Sequence, residues 1–498
     1  MLPAIFAFCG FYVADSNKPM FNDATQVVLM REGTRTVLSM QNNYKGPPEA
    51  FAMVVPVPSV LHEGDVKTLP KDVFAHVERM GAPRLVEYWE QDPCHPNEYD
   101  LDAVSGGGGV RMPAPTTTAV NHGVTIEAQF TVGEYQVVIL SAKDSSGLDT
   151  WLRDQKYNIP DGAEPLLRPY VESGSKFFVA KVDPQKVKFE DGRAALSPLR
   201  FFYDTDQFEL PIRLGLANSQ GTQDLIVNIL SKDRYEVANY PNVTIPTNLD
   251  LNEGMKDKFA GFYAALFDAT LEKHPGSVVT EYAWAAGSCD PCPGPTLTPS
   301  EMMTLGADVT ASKATYALTL TRLHARYGKD ITNDLVFKAA QPIVGGRERH
   351  GANGTLETGA QPSTMNNFQG RYAIRHPWTG PLTCDKPVRG VWGGPPAGTP
   401  AEPVQPALGL AFAPRGSVHL VDALAHPDPQ IELGSGAFPP IAASGSAAGS
   451  AVAPPPAETT KPKKKSGCGC EADGRDALGT AALLTGIGLV IARRRRRK

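Results

Sequence analysis

Cys289-Asp290-Pro291-Cys292 is the stretch whose residue types and spacing most directly suggest covalent chemistry. Two cysteines three positions apart can perform thiol–disulfide exchange if the first sits at a helix N-terminus, where the dipole stabilises its thiolate. Here Pro293, Gly294 and Pro295 follow at once, and the next helix start is the capping box Thr298-Pro299-Ser300-Glu301. The spacing therefore predicts a structural bridge in a tight loop. Zinc would need two further ligands, and no second CxxC supplies them. Ser173-Gly174-Ser175-Lys176 has the spacing of a serine nucleophile with a lysine base. It falls in a Gly/Ser turn before a strand, without SDN and KTG partners, and reads as chance.

The ten histidines form no HExxH and no HxH pair. Arg375-His376-Pro377-Trp378 is the densest polar and aromatic cluster and reads as a packed corner. His62, His76, His95 and His274 read as solvated residues beside turns or on helix surfaces. Carboxylates such as Glu87, Glu90 and Asp92 are abundant, but a glycosidase pair needs two that face each other, which sequence does not show. No GxSxG elbow or GxxxxGK[ST] loop occurs, and Gly106–Gly109 lacks the lysine and hydroxyl that would hold phosphate and magnesium. No residue is assigned a catalytic, cofactor-binding or metal-ligating role, no cofactor is implied, and the reading leans away from an enzyme.

The elements that would position these residues are mostly strands. Gln26–Met30 and Thr34–Gln41 flank a turn at Glu32-Gly33, Ala50–Val57 follows, and Val124–Val132 with Glu134–Ser141 forms a second hairpin around Gly133. Lys71–Met80 places Val73, Phe74, Val77 and Met80 at helical spacing with Gly81 as the stop. Helices over about Ser146–Lys156 and Leu166–Val171 lead to a returning strand at Phe177–Val182, a β-α-β unit. Leu199–Tyr203, Pro211–Ala217 and Asp224–Leu230 extend the sheet. The clearest helix runs from about Leu251 to Lys273, with Met255, Phe259, Phe262, Leu266, Phe267 and Leu271 on one face. Strands at Val278–Trp284, Thr315–Tyr327, Leu335–Ala339 and Arg371–Ile374 complete an α+β body of mostly antiparallel sheets with a few amphipathic helices packed on them.

At 498 residues and 42% apolar content the chain has room for a substantial core. The net charge of −5 hides an asymmetry: residues 1–460 carry 37 cations against 50 anions, net −13. An acidic body gives nucleic acid no electrostatic footing. Five of the seven cysteines lie in the body, compatible with an oxidising compartment. Cys289 with Cys292 is the first expected disulfide, by proximity, and Cys9 with Cys94 the second.

From about residue 386 composition shifts to Pro, Gly, Ala and Ser, too little apolar surface to offset its ordering entropy, so 386–466 is expected to be a disordered linker. Beyond it stand Cys468 and Cys470, the uncharged stretch Ala477–Ala492, and Arg493, Arg494, Arg495, Arg496 and Arg497 before Lys498. As a helix, residues 477–492 span about 24 Å at about 1.5 Å per residue, short of the roughly 30 Å hydrocarbon core. Glycine and threonine dilute the segment further, which suits a transient membrane stop better than a permanent span. The terminal cations are expected to stay cytoplasmic. At the other end, residues 1–7 read as the remnant of a signal peptide whose true start lies upstream.

Two resemblances rest on these residues. Cys468-Gly469-Cys470, the short apolar helix and the arginine block resemble the MYXO-CTERM tripartite sorting signals of myxobacteria. That resemblance implies cleavage by a sorting protease and surface attachment near the cysteines. Phe8–Val13, TQVVLM at 25–30, FAMVVPVP at 51–58, PRLVEYW at 83–89, FTVGEYQVVILS at 130–141, LPIRLG at 210–215 and NFQGRYAIRHPW at 367–378 resemble the bacterial domain-of-unknown-function family numbered 2330, over residues 8–384. That family implies an exported envelope protein and no activity. The expected organisation is a remnant at 1–7, a body at 8–385 of one or two subdomains, the linker, and a sorting signal at 467–498. The expected partners are the membrane, the sorting protease and an extracellular ligand. A cell-surface hydrolase or thiol oxidoreductase, and an integral membrane protein that retains its C-terminal helix, stand as alternatives.

Overall fold

The computed structural model describes residues 11–14, 21–22, 26–41, 43–45, 51–95, 124–155, 157, 159, 162–187, 189–190, 193–218, 221–329, 331–349, 356–396, 404–410 and 415–431. Its principal elements, in chain order, begin with β1 (Phe11–Ala14), β2 (Gln26–Glu32), β3 (Arg35–Met40), β4 (Phe51–Val57), β5 (Val66–Thr68), α1 (Lys71–Gly81) and β6 (Arg84–Glu90). Next come β7 (Val124–Val132), β8 (Tyr135–Ala142), α2 (Ser145–Asp154), α3 (Glu164–Glu172), β9 (Lys176–Val182), β10 (Leu199–Asp204), β11 (Gln223–Ser231) and β12 (Leu249–Leu251). The last are α4 (Phe259–Lys273), β13 (Val278–Ala285), α5 (Pro299–Met302), β14 (Thr319–Tyr327), β15 (Asn367–Gln369), β16 (Arg371–His376), β17 (Trp392–Gly393), β18 (Gln405–Pro406) and α6 (Leu420–Ala423).

Two sheets face each other across the main core. One has five antiparallel strands in the order β1-β4-β9-β8-β7, and the other is an 11-stranded sheet whose centre runs β15-β13-β14-β11-β2-β3-β10-β5. Strand alternation sends Val27, Leu29, Leu38 and Met40 of the large sheet against Met53, Val55, Ile139 and Phe178 of the small one. The opposite face of the small sheet lies under α2 and α3, which place Leu148, Trp151, Leu152 and Leu167 on Ala52, Val54 and Phe177. With both faces covered, β4 is buried at all seven positions, which explains its unbroken apolar reading FAMVVPV. The outer face of the large sheet is covered by α1, through Val73, Phe74, Val77 and Met80, and by α4.

The fold is α+β with two expected hairpins in place. β2–β3 turns at Gly33 (φ 57°) and β7–β8 at Gly133 (φ 58°), left-handed conformations that glycine adopts without strain. Other readings change. Arg213–Asn218 is a 3-10 turn where a strand was expected, because the Asp334 carboxylate accepts from the backbone N–H of Ile212 (2.8 Å) and Arg213 (3.1 Å) and holds the chain in a bend. The helix expected from Leu251 begins as a 3-10 turn at Glu253–Lys258 and becomes α-helical only at Phe259.

The boundary at 385 and 386 also moves. Residues 404–410 and 415–431, expected within the linker, pack into the core around α4. Ala407, Leu410, Val418, Leu420, Ala423, Leu424 and Ile431 are all buried there with Phe259, Phe262 and Leu266. A low density of apolar residues suffices because each is spent on that one surface. Cys9, Cys468, Cys470, the stretch 477–492 and Arg493–Arg497 lie outside the described residues. Among the described residues no helix is long and apolar enough to cross a membrane.

Candidate functional site

The Cys289–Cys292 bridge forms, with Cα atoms 4.9 Å apart, and its surroundings are those of a staple. Arg84 Nη1 donates to the Pro291 carbonyl at 2.8 Å and Gln369 Nε2 to that of Asp290 at 2.6 Å, while Cys289 Sγ lies 3.9 Å from Met80 Sδ on α1. The next helix is α5, capped by Thr298, whose hydroxyl accepts from Glu301 N–H, so no helix N-terminus is aimed at either sulfur. Ser173 gives its hydroxyl to the Tyr170 carbonyl (2.9 Å) at the end of α3, which leaves no serine–lysine dyad. Among the described residues no group of His, Cys, Asp and Glu is arranged to hold a metal ion.

The titratable and aromatic residues converge instead at one end of a smaller sheet. β12, β16 and β6 run parallel, with β17 and β18 added antiparallel to β6. The register sets Arg375 beside Tyr88 and His376 beside Trp89 at the C-terminal ends of the parallel strands. Ligand sites in parallel sheets favour that end. The Arg375-His376-Pro377-Trp378 corner is therefore assembled with Glu87 and Glu90. A second disulfide, Cys94–Cys384, spans 290 positions of sequence and pins the chain beyond β6 to the chain beyond β16. Cys94 thus does not pair with Cys9. The strands bring Cys384 to it, a proximity that pairing by neighbourhood along the chain does not reveal.

His376 Nε2 lies 2.8 Å from Glu87 Oε2, and the imidazole stacks on Trp89 with centroids 4.7 Å apart. Lys256 Nζ takes the other Glu87 oxygen at 2.7 Å. Arg375 Nε bonds Asp250 Oδ1 at 2.9 Å, and His426 approaches Oδ2 of that residue at 3.3 Å. The Arg375 guanidinium lies 5.1 Å from the Trp392 ring centroid and 5.4 Å from that of Tyr88. Glu90 accepts from Arg389 and from the backbone N–H groups of Gly390 and Trp378.

Burial pushes the Glu87 carboxyl up, yet the hydrogen bonds from Lys256 and His376 outweigh it and hold the group below the usual carboxylate range. Glu90 behaves alike: burial raises it, and the Gly390 and Trp378 N–H groups with Arg389 bring it lower. Carboxylates held ionised are poor general acids, and each already has its cations. What the corner offers a ligand is half-buried rings beside fixed charge on both faces of the strand ends, Trp89 and His376 on one face and Tyr88 and Trp392 on the other.

Sequence reasoning named Glu87, Glu90, Arg375, His376 and Trp378 but not their companions. Asp250 lies just before a predicted helix and Lys256 within it, and Trp392 and His426 lie in the predicted linker. Only an aromatic and a histidine inside a Pro/Gly-rich stretch hinted at them. A separate cleft of about 380 Å³ lies between the β2–β3 turn and residues 310–318. Two of its charges are engaged in the fold: Arg31 donates to the Thr34 and Thr205 carbonyls, and Glu32 accepts from Ser312 N–H.

No curated protein and no solved structure matches the chain. The family model described as an uncharacterized protein conserved in bacteria (DUF2330) matches residues 3–338, which takes in β6 and the CxxC loop and stops short of β16 and Cys384. With more than half of its length matched, this chain belongs to the bacterial DUF2330 family.

Proposed function

We propose that the chain is an exported envelope protein, attached at the cell surface, whose globular body is a binding ectodomain that meets an extracellular ligand at the β6/β16 corner. The observation that carries this reading is the Cys94–Cys384 bridge beside that corner. A long-range structural disulfide persists in an oxidising compartment and is rare in a reducing one. The tail supports the same address: residues 477–492 act as a transient membrane stop, the terminal arginines stay cytoplasmic, and a sorting protease cuts near Cys468 and Cys470.

Mass spectrometry of the protein recovered from cells, without reduction, tests the address. The expected result is a peptide pair linked through Cys94 and Cys384 and a C-terminus near Cys468 or Cys470. Free thiols at both body positions, or recovery of Lys498, would overturn it. For binding, Trp89→Ala and Trp392→Ala are each expected to weaken retention on isolated cell-envelope material about tenfold, about 1.4 kcal/mol, without loss of fold. Unchanged retention removes the corner as the binding face. A thiol oxidoreductase finds less support, because the sulfurs of Cys289 and Cys292 lack a helix N-terminus. A hydrolase finds less because Glu87 and Glu90 are held ionised.

A further inference from the structure

Beneath α1 the large sheet carries a polar row. Cross-strand register aligns Arg200, Ser39, Val28, Asn228, Arg322, Tyr282 and Gln369, one residue from each of seven adjacent strands, and all are buried. Arg84 lies over the Tyr282 ring, 5.2 Å from its centroid. A Cβ added at Gly81, the end of α1, would stand 3.3 Å from Arg322 Cδ and 3.5 Å from Asn228 Oδ1, so helix end, the Arg322 stem and the Asn228 amide share one small space.

The row is short of partners and of negative charge. Arg322 is fully buried and bonds Glu281 through Nε at 2.6 Å, while neither Nη1 nor Nη2 has a hydrogen-bond partner among the described residues. The Arg84 Nε and both polar atoms of the Asn228 amide are in the same condition. Arg84, likewise fully buried, gives its other nitrogens to carbonyls, those of Pro291, Met80 and Ala82, and to no carboxylate. Glu281, the carboxylate that Arg322 bonds, also serves His324 (2.7 Å) and Tyr263 (2.7 Å), and no described carboxylate bonds Arg84. An uncompensated buried charge costs several kcal/mol, and water would satisfy the N–H groups without supplying the charge.

We propose that one small monovalent anion of the halide class resides beneath α1, between the Arg84 and Arg322 guanidiniums, as a structural ligand. It accepts from Arg322 Nη1 and Nη2 and is the missing counter-charge of the row.

Two measurements on the unmodified chain test this. In crystals grown with bromide in place of chloride, an anomalous peak is expected within hydrogen-bond reach of the Arg322 Nη atoms. Thermal unfolding at constant ionic strength, with chloride replacing gluconate from about 1 to about 100 mM, is expected to show a saturating rise in midpoint of about 3 °C or more. Arg84→Met and Asn228→Leu should each flatten that dependence. Water alone at the position overturns the proposal. So does a midpoint indifferent to chloride, since a peak without it marks an adventitious ion only. If neither variant folds, the measurements on the unmodified chain decide.

Discussion

Arg84, Arg200, Arg322 and Arg371 are among the largest fully buried side chains of this protein. Each meets burial differently. Arg200 reaches the Thr304 carbonyl and Asp308, Arg371 reaches Asn248 and Tyr88, and Arg322 depends on Glu281. Burial pushes the Glu281 carboxyl up, but His324 and Arg322 pull it down to about 2. A depressed carboxylate contributes stability above its unfolded value of about 4.3 and loses it as pH falls toward 2. The melting temperature is therefore expected to drop steeply between about pH 4.5 and 2. Glu281→Gln should flatten that slope and cost about 3 kcal/mol or more at neutral pH by stranding Arg322; pH-dependent melting of both proteins decides the matter, and equal slopes refute it. Gly346 belongs to the same scale. Its φ is 66°, and an added Cβ would lie 1.9 Å from the Gln369 carbonyl oxygen, so Gly346→Ala is expected to lose about 3 kcal/mol or more in chemical denaturation.

At the scale of elements, local signals were read correctly wherever local physics decides. α1 runs Lys71–Gly81 as its apolar spacing dictates, and Thr298 and Glu301 form the reciprocal cap expected from their types. Thr298→Ala should remove that cap at a cost of about 1 kcal/mol, measurable as a shift in denaturation midpoint, and no shift would mean that Pro299 alone starts the turn. Strand faces were less legible. TLTRLHARY in β14 alternates as though Arg322, His324 and Arg326 met water, yet the end of α1 covers Arg322 and α4 covers His324 and Arg326. Phe267 stacks on His324 at 3.7 Å, and Asp224 and Asp268 take Arg326 at 2.7 Å. Alternation marks two faces of a strand and does not say which lies under a helix. The corner was legible as a cluster, because four of its residues are consecutive. Its pairing to Asp250, Lys256 and Trp392 was not, since Asp250 arrives on a parallel strand, Lys256 on a 3-10 turn and Trp392 on a strand added antiparallel to β6, none of which local sequence announces.

Across the whole molecule, residues 404–410 and 415–431 close the core around α4, and composition alone concealed them. Ending the chain at residue 385 would uncover Phe259, Phe262 and Leu266, so that truncation is expected to unfold at lower temperature and to aggregate, while a chain ending at 431 keeps the parent midpoint. Calorimetry of the two truncations separates these outcomes, and equal midpoints would return 386–431 to the linker. Breaking the longer disulfide with Cys94→Ser and Cys384→Ser should cost about 2 to 4 kcal/mol. That bridge also fixes how the protein bears load. It closes residues 94–384 into a covalent ring with a tail at each end. If the C-terminal tail is fastened to the cell and the body grips something outside, tension passes along the tail to Cys384 and there divides between β16, by the main chain, and β6, across the sulfur bridge. A drag that strips residues 404–410 and 415–431 from α4 therefore still cannot part residue 94 from residue 384, and a protease cut inside the ring leaves both fragments on the same anchor.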